Sequence, residues 1–166
     1  MKRTLLSLVV LLVLLEHIFL ISAIASATIF KETTEVPVTK TQIEKKQAAI
    51  SLICKDTYIA SVISKSKYPY TLAAIAKVES DYRPRAVGDG GKSWGMYQIQ
   101  RRLHGEFRDT IESQTDKAED ILEALINEQG YYNAIKAYNG TGRPAIKYRQ
   151  KVLKIVRELE TIERRS

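Results

Sequence analysis

One glutamate in this sequence continues a stripe of apolar residues. Leu72, Ile75 and Ala76 have the i, i+3, i+4 spacing of one helical face, and Glu79 takes the next position, i+7. A carboxylate on that face is partly removed from water, and it lies at a helix C-terminus, whose dipole disfavours negative charge. Both effects raise the pKa of the carboxyl group, as general acid catalysis near neutral pH requires. Glu79 is therefore the candidate catalytic acid.

A second carboxylate would decide what kind of reaction Glu79 could perform. Most enzymes that cleave glycosidic bonds by hydrolysis use two carboxylates at a defined separation. Asp81 lies about 200° round the helix from Glu79 and should point away. Asp89 lies in a glycine-rich loop over residues 82–92. Neither is predicted to be held rigidly, which favours a mechanism with one carboxylate, but an Asp89 that faces Glu79 across a groove would favour hydrolysis.

Other kinds of chemistry find little support. Residues 86–93 match a relaxed phosphate-loop pattern, but a helix and a turn precede them where the phosphate loop needs a buried strand. The only histidines are His17 and His104, too few for a metal cluster or for a convincing serine-histidine-aspartate triad. The sequence therefore predicts neither a metal nor a cofactor.

The elements that must position Glu79 are helices. Apolar periodicity predicts an all-α fold of about six helices around one core. A capping-box pattern over 41–44 predicts that the first helix begins at Gln42. Any β-hairpin would have to lie between Val87 and Leu103. The predicted helices cover residues 42–54, 58–66, 71–80, 116–129, 131–138 and 142–162.

The N-terminus predicts export. A basic start, an apolar run over residues 5–15 and A-x-A patterns near residue 27 are typical of a cleaved signal peptide. An uncleaved signal anchor would place Glu16 and His17 in the hydrocarbon, which is costly. We therefore predict a signal peptide or signal anchor over 1–27, a linker over 28–40 and one domain over 41–166. The protein would then lie in the periplasm or cell envelope, with residues 5–27 as its only membrane contact.

The chain that follows residue 27 is basic. It keeps 24 of the 26 lysines and arginines and 18 of the 19 acids, a net charge of +6. That balance suits an anionic polymer such as an envelope glycan, and would also suit nucleic acid or anionic lipid. Charge alone does not decide among them.

Four short motifs in order resemble the SLT-type lytic transglycosylases of the lysozyme-like superfamily. They are the Glu79-Ser80 pair after its apolar helix, the segment Ser93 to Ile99, the Ala137 to Gly140 segment, and Tyr148 with Val152. The resemblance covers most of the chain after the export signal. The sequence departs from many members at Gln100, where they place a methionine-proline after the isoleucine, and this leaves the subfamily open.

The resemblance implies a lysozyme-like domain that binds the glycan strands of peptidoglycan. Such enzymes cleave the β-1,4 bond between N-acetylmuramic acid and N-acetylglucosamine and close a 1,6-anhydro ring without adding water. By position, Glu79 would be the single acid and base. The implied substrate-binding residues are Ser80, Gly95, Met96, Tyr97, Gln98, Tyr138, Asn139 and Tyr148.

Two other functions are compatible with the same residues. One is a hydrolytic muramidase of the goose-lysozyme kind, and the other is a domain that binds glycan without cleaving it. We expect no nucleic-acid partner. A chain with only a catalytic domain suits local opening of the wall for a secretion, conjugation or phage apparatus.

Overall fold

In the computed structural model, the described part of the chain is residues 39–166, which fold into seven helices and one short antiparallel hairpin. The predicted all-α, lysozyme-like class is confirmed, and the hairpin lies within the predicted interval. Six of the helices correspond to the predicted six, and α4 is an additional single turn. The elements are α1 (Lys40–Ser51), α2 (Thr57–Ile63), α3 (Pro69–Ser80), β1 (Val87–Gly88), β2 (Ser93–Trp94), α4 (Arg101–His104), α5 (Ile111–Gln129), α6 (Tyr131–Tyr138) and α7 (Gly142–Arg165).

Three helices begin earlier than predicted. Helix α3 begins at Pro69, two residues before the predicted start, with the proline in its first turn, and side-chain caps explain the starts of α1 and α5. The capping box of α1 is formed by Thr39 and Gln42, two residues earlier than the predicted box, and the helix begins at Lys40. Helix α5 begins at Ile111, five residues before the predicted start, because the Thr110 hydroxyl accepts a hydrogen bond from the Ser113 amide at 3.2 Å. In α1 and α5 an upstream threonine satisfies a free amide of the first turn.

Helix α3 is the centre of the domain. The sequence predicted one apolar face, but Ala73 and Ala74 are as fully buried as Leu72 and Ile75. Helix α7 packs along α3, and α1, α2 and α5 contact it from other sides. The small alanine side chains allow these neighbours to approach closely. The last turn of α3, which carries Glu79, is therefore held from several directions.

The C-terminus of α3 is a sharp turn that directs the chain into the hairpin. Asp81 and Tyr82 both have left-handed backbone conformations, with φ of 55° and 59°. The amide of Tyr82 donates to the carbonyl of Ala76, and that of Asp81 donates to the carbonyl of Lys77, so both amides are satisfied by carbonyl groups near the end of α3. The Asp81 carboxylate is exposed and forms an ion pair with Lys77.

The hairpin is short and is fixed at one end by an arginine between two rings. Val87 pairs with Trp94 and Gly88 with Ser93. The guanidinium carbon of Arg101 lies 5.1 Å from the centre of the Trp94 ring and 4.8 Å from that of Phe107. Such cation–π stacking joins β2 to the segment after α4.

The predicted export signal or anchor, and all but the end of the predicted linker, lie outside the described residues. Within residues 39–166, no helix combines the length and the apolar character that crossing a membrane would require.

Candidate active site

Glu79 is half-buried in the last turn of α3. Burial is the main cause that raises the pKa of its carboxyl group, as the sequence predicted. The negative charge of Asp89 raises that pKa further, whereas the neighbouring Tyr148 hydroxyl lowers it by favouring the charged carboxylate. The Glu79 carboxyl group therefore has the property expected of a general acid.

Two tyrosines from later helices share the surroundings of Glu79. Tyr148 of α7 is 6% exposed, and its hydroxyl lies beside the Glu79 carboxylate without completing a hydrogen bond of standard geometry. The Tyr138 hydroxyl donates to the Tyr97 carbonyl at 3.4 Å. Burial, and next the negative charge of Glu79, raise the pKa of both phenols well above the ordinary value. Both groups thus remain protonated; the Tyr148 hydroxyl keeps its proton available for the carboxylate, whereas that of Tyr138 is donated to the Tyr97 carbonyl.

Ser80 holds the loop in place and is not directed at the carboxylate. Its hydroxyl donates to the Met96 carbonyl at 2.9 Å and accepts a hydrogen bond from the Arg83 amide at 3.0 Å. This side chain, only 4% exposed, therefore joins the end of α3 to the turn after β2. The resemblance implied that Ser80 binds substrate, but in the structure its hydroxyl is engaged by the loop.

Met96 and Tyr97 were predicted to line the groove, but the structure places both beneath the surface. Neither residue has any exposed area, and the Tyr97 hydroxyl donates to Thr115 at 3.3 Å. Apolar and aromatic side chains of this size contribute most when fully buried. These two residues therefore belong to the core that supports the loop after β2.

Gln114 is a site residue that the sequence reasoning missed. It is 1% exposed, accepts a hydrogen bond from the Met96 amide at 2.8 Å and donates one to the Pro84 carbonyl at 3.0 Å. These bonds tie both flanks of the hairpin to α5. The sequence did contain a signal for Gln114, because its spacing places it on the same helical face as Ala118 and Leu122. That face is buried, and a buried polar side chain needs hydrogen-bond partners.

Gly95 has the backbone and the space that only glycine provides. Its φ is +76°, and a Cβ atom added there would lie 2.2 Å from Oε1 of Gln114. Gly95, like Met96, is buried, so it is not exposed to a bound substrate. The missing side chain is what allows Gln114 to reach the loop.

A cleft of about 250 Å³ brings together three of the predicted substrate-binding residues, Gln98, Tyr138 and Asn139. The Gln98 amide group donates to the Gly95 carbonyl at 2.9 Å and to the Ala86 carbonyl at 3.3 Å, so it also satisfies loop backbone. Asn139 is exposed at the end of α6. Glu79 is not in the cleft lining, but its charge acts on Tyr138, which lines the cleft. The other lining residues are Ile99, Gln100, Leu103, His104, Ile121, Ala137 and Gly140.

Within residues 39–166, no three His, Cys, Asp or Glu side chains are grouped as a metal site would require. The chemical groups that the site does offer are one carboxyl group with a raised pKa, two phenols and a polar cleft.

Comparison with known proteins identifies the domain. The family model described as the Transglycosylase SLT domain matches residues 60–155, a range that includes Glu79, the hairpin, Tyr138 and Tyr148. No curated protein and no solved structure matches the chain. The match covers more than half of the sequence, so this chain belongs to the SLT transglycosylase domain family.

Proposed function

We propose that this protein is an exported lytic transglycosylase in which Glu79 is the only catalytic acid and base. Membership of the family indicates action on peptidoglycan of the lytic transglycosylase type. The observation that carries the finer proposal is the environment of Glu79. Its carboxyl group is half-buried at the end of the central helix, has a raised pKa and lies near two protonated phenols. Because peptidoglycan lies outside the cytoplasm, the export predicted from residues 1–27 belongs to the same proposal.

The proposed reaction needs one proton-transferring group. Protonated Glu79 donates its proton to the glycosidic oxygen as the bond to C1 of the muramoyl residue breaks. The resulting carboxylate lies close to the positive charge that develops at C1 and then takes the proton of the C6 hydroxyl, whose oxygen bonds to C1. The anhydro ring closes, Glu79 regains its proton, and no water is consumed. A raised pKa keeps part of the enzyme protonated at the start of each cycle.

Hydrolysis is the second candidate, and Asp89 is the residue that favours it. Its charge acts on the Glu79 carboxyl group, and its own carboxylate accepts a hydrogen bond from Ser93 at 2.5 Å. It is, however, exposed, and it is the weakest of the three causes that act on the pKa of Glu79. We therefore favour the mechanism in which Glu79 acts alone.

Product analysis separates the two mechanisms. Purified peptidoglycan is digested with the protein in water enriched in ¹⁸O, and the fragments are analysed by mass spectrometry. We expect ends that carry the 1,6-anhydro ring and no ¹⁸O. Reducing ends labelled with ¹⁸O would instead establish hydrolysis and contradict the proposal.

The pH dependence of cleavage should respond in opposite directions to two substitutions. Activity falls as pH rises through the pKa of Glu79, because the acid must begin protonated. Asp89→Asn removes a negative charge that raises this pKa, so the alkaline limb of the pH–rate profile should move to lower pH. Tyr148→Phe removes a hydroxyl that lowers it, so that limb should move to higher pH. Initial rates measured across pH give both shifts. If the alkaline limb moved in the same direction in the two variants, the assignment of Glu79 as the acid would be contradicted.

A further inference from the structure

The last helix of the domain concentrates positive charge. Helix α7 carries eight lysines and arginines and three glutamates, a net charge of +5. Helix α5, by contrast, carries six acids and one lysine, a net charge of −5. Both helices pack against α3 and α6, but they are not packed against one another. The acids of α5 therefore do not neutralise the positive charge of α7.

Five of these basic residues share the outward side of α7. They are exposed, and we call them the basic stripe: Arg143, Lys147, Lys151, Lys154 and Arg157. By helical geometry they lie within about 120° of one another round the axis and extend over about 21 Å along it. The side of α7 that faces the core is formed by other residues, which are Ala145, Tyr148, Val152, Val156 and Leu159. The basic stripe therefore lies on the surface of the domain, opposite the core.

The charges of the basic stripe are available to a partner. Within residues 39–166, Arg143, Lys147 and Lys151 have no ion pair and no side-chain hydrogen bond. Lys154 approaches Glu158 only to 4.0 Å, and both side chains are exposed to water. An exposed pair of this kind is weak and easily exchanged for another partner. The stripe thus presents several adjacent cations that the domain itself does not use.

The shape of this surface favours a flat partner over a polymer chain. The exposed side of one straight helix is a convex ridge, and it offers no groove in which a chain could lie. The only aromatic residue of α7 is Tyr148, which is buried, whereas single-stranded nucleic acid is commonly held by aromatic stacking. Ile146, which is 39% exposed, lies beside the stripe. Clustered lysines with an apolar residue beside them are typical of helices that lie on a lipid surface.

We propose that the basic stripe of α7 binds the anionic headgroups of a phospholipid membrane. Each lysine or arginine held near an anionic bilayer strengthens binding about fivefold, so the stripe as a whole gives substantial attraction. Tyr148, which lies beside Glu79, projects from the buried side of α7. A membrane along the stripe therefore leaves the Glu79 site on the other side of the helix, directed away from lipid. Only this orientation rests on the proposed function, because it would present the active site to a wall outside the membrane.

The first test measures how the full chain partitions onto vesicles of two compositions. One kind is phosphatidylcholine alone, and the other is phosphatidylcholine mixed with an equal amount of phosphatidylglycerol. Any attachment through the apolar N-terminal residues acts on both kinds and cancels in the ratio. We expect a preference for the anionic vesicles that weakens as salt is added. Combining Lys147→Gln with Lys151→Gln should reduce that preference about 20- to 30-fold.

A matched control removes the same charge from other elements. Lys65 of α2 and Lys92 of the hairpin loop are also exposed. Combining Lys65→Gln with Lys92→Gln should therefore leave the preference for anionic vesicles within about threefold of the unmodified protein. No preference for anionic vesicles, or an equal loss in the two double variants, would overturn the proposal. Tighter binding to a soluble DNA duplex than to anionic vesicles of equal phosphate content would also overturn it, because the stripe would then bind a polymer.

A second test asks which side of the domain meets the lipid. A fluorescent label is placed on Gln150→Cys, within the stripe, or on Asn127→Cys, an exposed position of α5. Cys54 is buried and should not react. A quencher attached to lipid in anionic vesicles should quench the label at 150 much more than the label at 127. Equal quenching at both positions would contradict binding through α7.

The Glu79→Gln variant separates this inference from the proposed function. Its binding to anionic vesicles should equal that of the unmodified protein, because the stripe does not include the active site. If the unmodified protein binds these vesicles but cleaves no peptidoglycan, the lyase is overturned and the membrane site remains. If it cleaves peptidoglycan but shows no preference for anionic vesicles, the membrane site is overturned and the lyase remains.

Discussion

Replacing Glu79 with glutamine should lower the rate of peptidoglycan cleavage by about 10²- to 10⁴-fold, the usual contribution of a general acid or base. The amide keeps the shape of the side chain but can neither donate the proton to the leaving oxygen nor accept one from the C6 hydroxyl. The measurement is the release of soluble muropeptides over time. Asp81→Asn is the matched control, since that carboxylate is exposed two residues later and forms an ion pair with Lys77; its rate should stay within about twofold of the unmodified protein.

The same Glu79 variant should be at least as stable as the original protein at neutral pH. The pKa of Glu79 is raised in the folded state, so the folded protein binds the proton more tightly than the unfolded chain does. Stability therefore falls as pH rises from the unfolded pKa through the folded one, and glutamine avoids that loss. Denaturation at neutral pH and again at a pH below the unfolded pKa should show a difference only at the higher pH. A variant that is inactive because it has unfolded, or one that retains full activity, would contradict the assigned role.

Replacing Gly95 with alanine should lower the free energy of unfolding by about 2 to 5 kcal/mol. A left-handed φ costs an alanine about 1 to 2 kcal/mol, and forcing a methyl group into a packed site adds about 1 to 3 kcal/mol. The clash is with the Gln114 amide oxygen, which lies 2.2 Å from the added atom. Activity should fall as well, because relieving the clash moves the turn after β2, where Gln114 of α5 holds the Met96 amide.

Gly90 provides the control for backbone strain. Its φ is +64°, and a Cβ there would meet nothing within 4 Å. Gly90→Ala should therefore cost only about 1 to 2 kcal/mol. In a Gln114→Ala background the clash is absent, so adding Gly95→Ala should cost no more than Gly90→Ala does. Chemical denaturation of the four variants measures this coupling, and an equal cost of Gly95→Ala in both backgrounds would contradict the clash.

Much of the helical framework was predictable because its signals are local. The stripe that ends at Glu79 and the proline in the first turn of α7 need only neighbouring residues to be recognised. The errors at the starts of α1 and α5 have a related cause. Two threonines near each start could serve as the cap, Thr39 or Thr41 for α1 and Thr110 or Thr115 for α5, and packing of the whole helix decides which one does.

The features that could not be predicted depend on contacts between distant segments. Motif resemblance pointed to Met96 and Tyr97, but it could not show that both side chains turn down into the core. The side-chain oxygen of Gln114 accepts a hydrogen bond from the backbone amide of Met96, which is 18 residues away in sequence. The cleft that contains Gln98, Tyr138 and Asn139 likewise forms only where α5 and α6 meet α4 and the turn before it. Apolar periodicity describes one helix at a time and carries no information about contacts between distant segments.

The placement of Tyr148 on α7 has a consequence for the order of events in the life of the chain. Glu79 belongs to α3, and its tyrosine neighbour arrives with a helix that is made later and must dock along it. A chain in which α7 has not yet docked has the carboxyl group but not the surroundings that set its acidity. Under the proposed function, such an unfinished chain is harmless to the wall, and the capacity to cut appears together with the completed core. Under this proposal, only the completely folded protein can cleave the wall, so folding itself limits when cleavage begins.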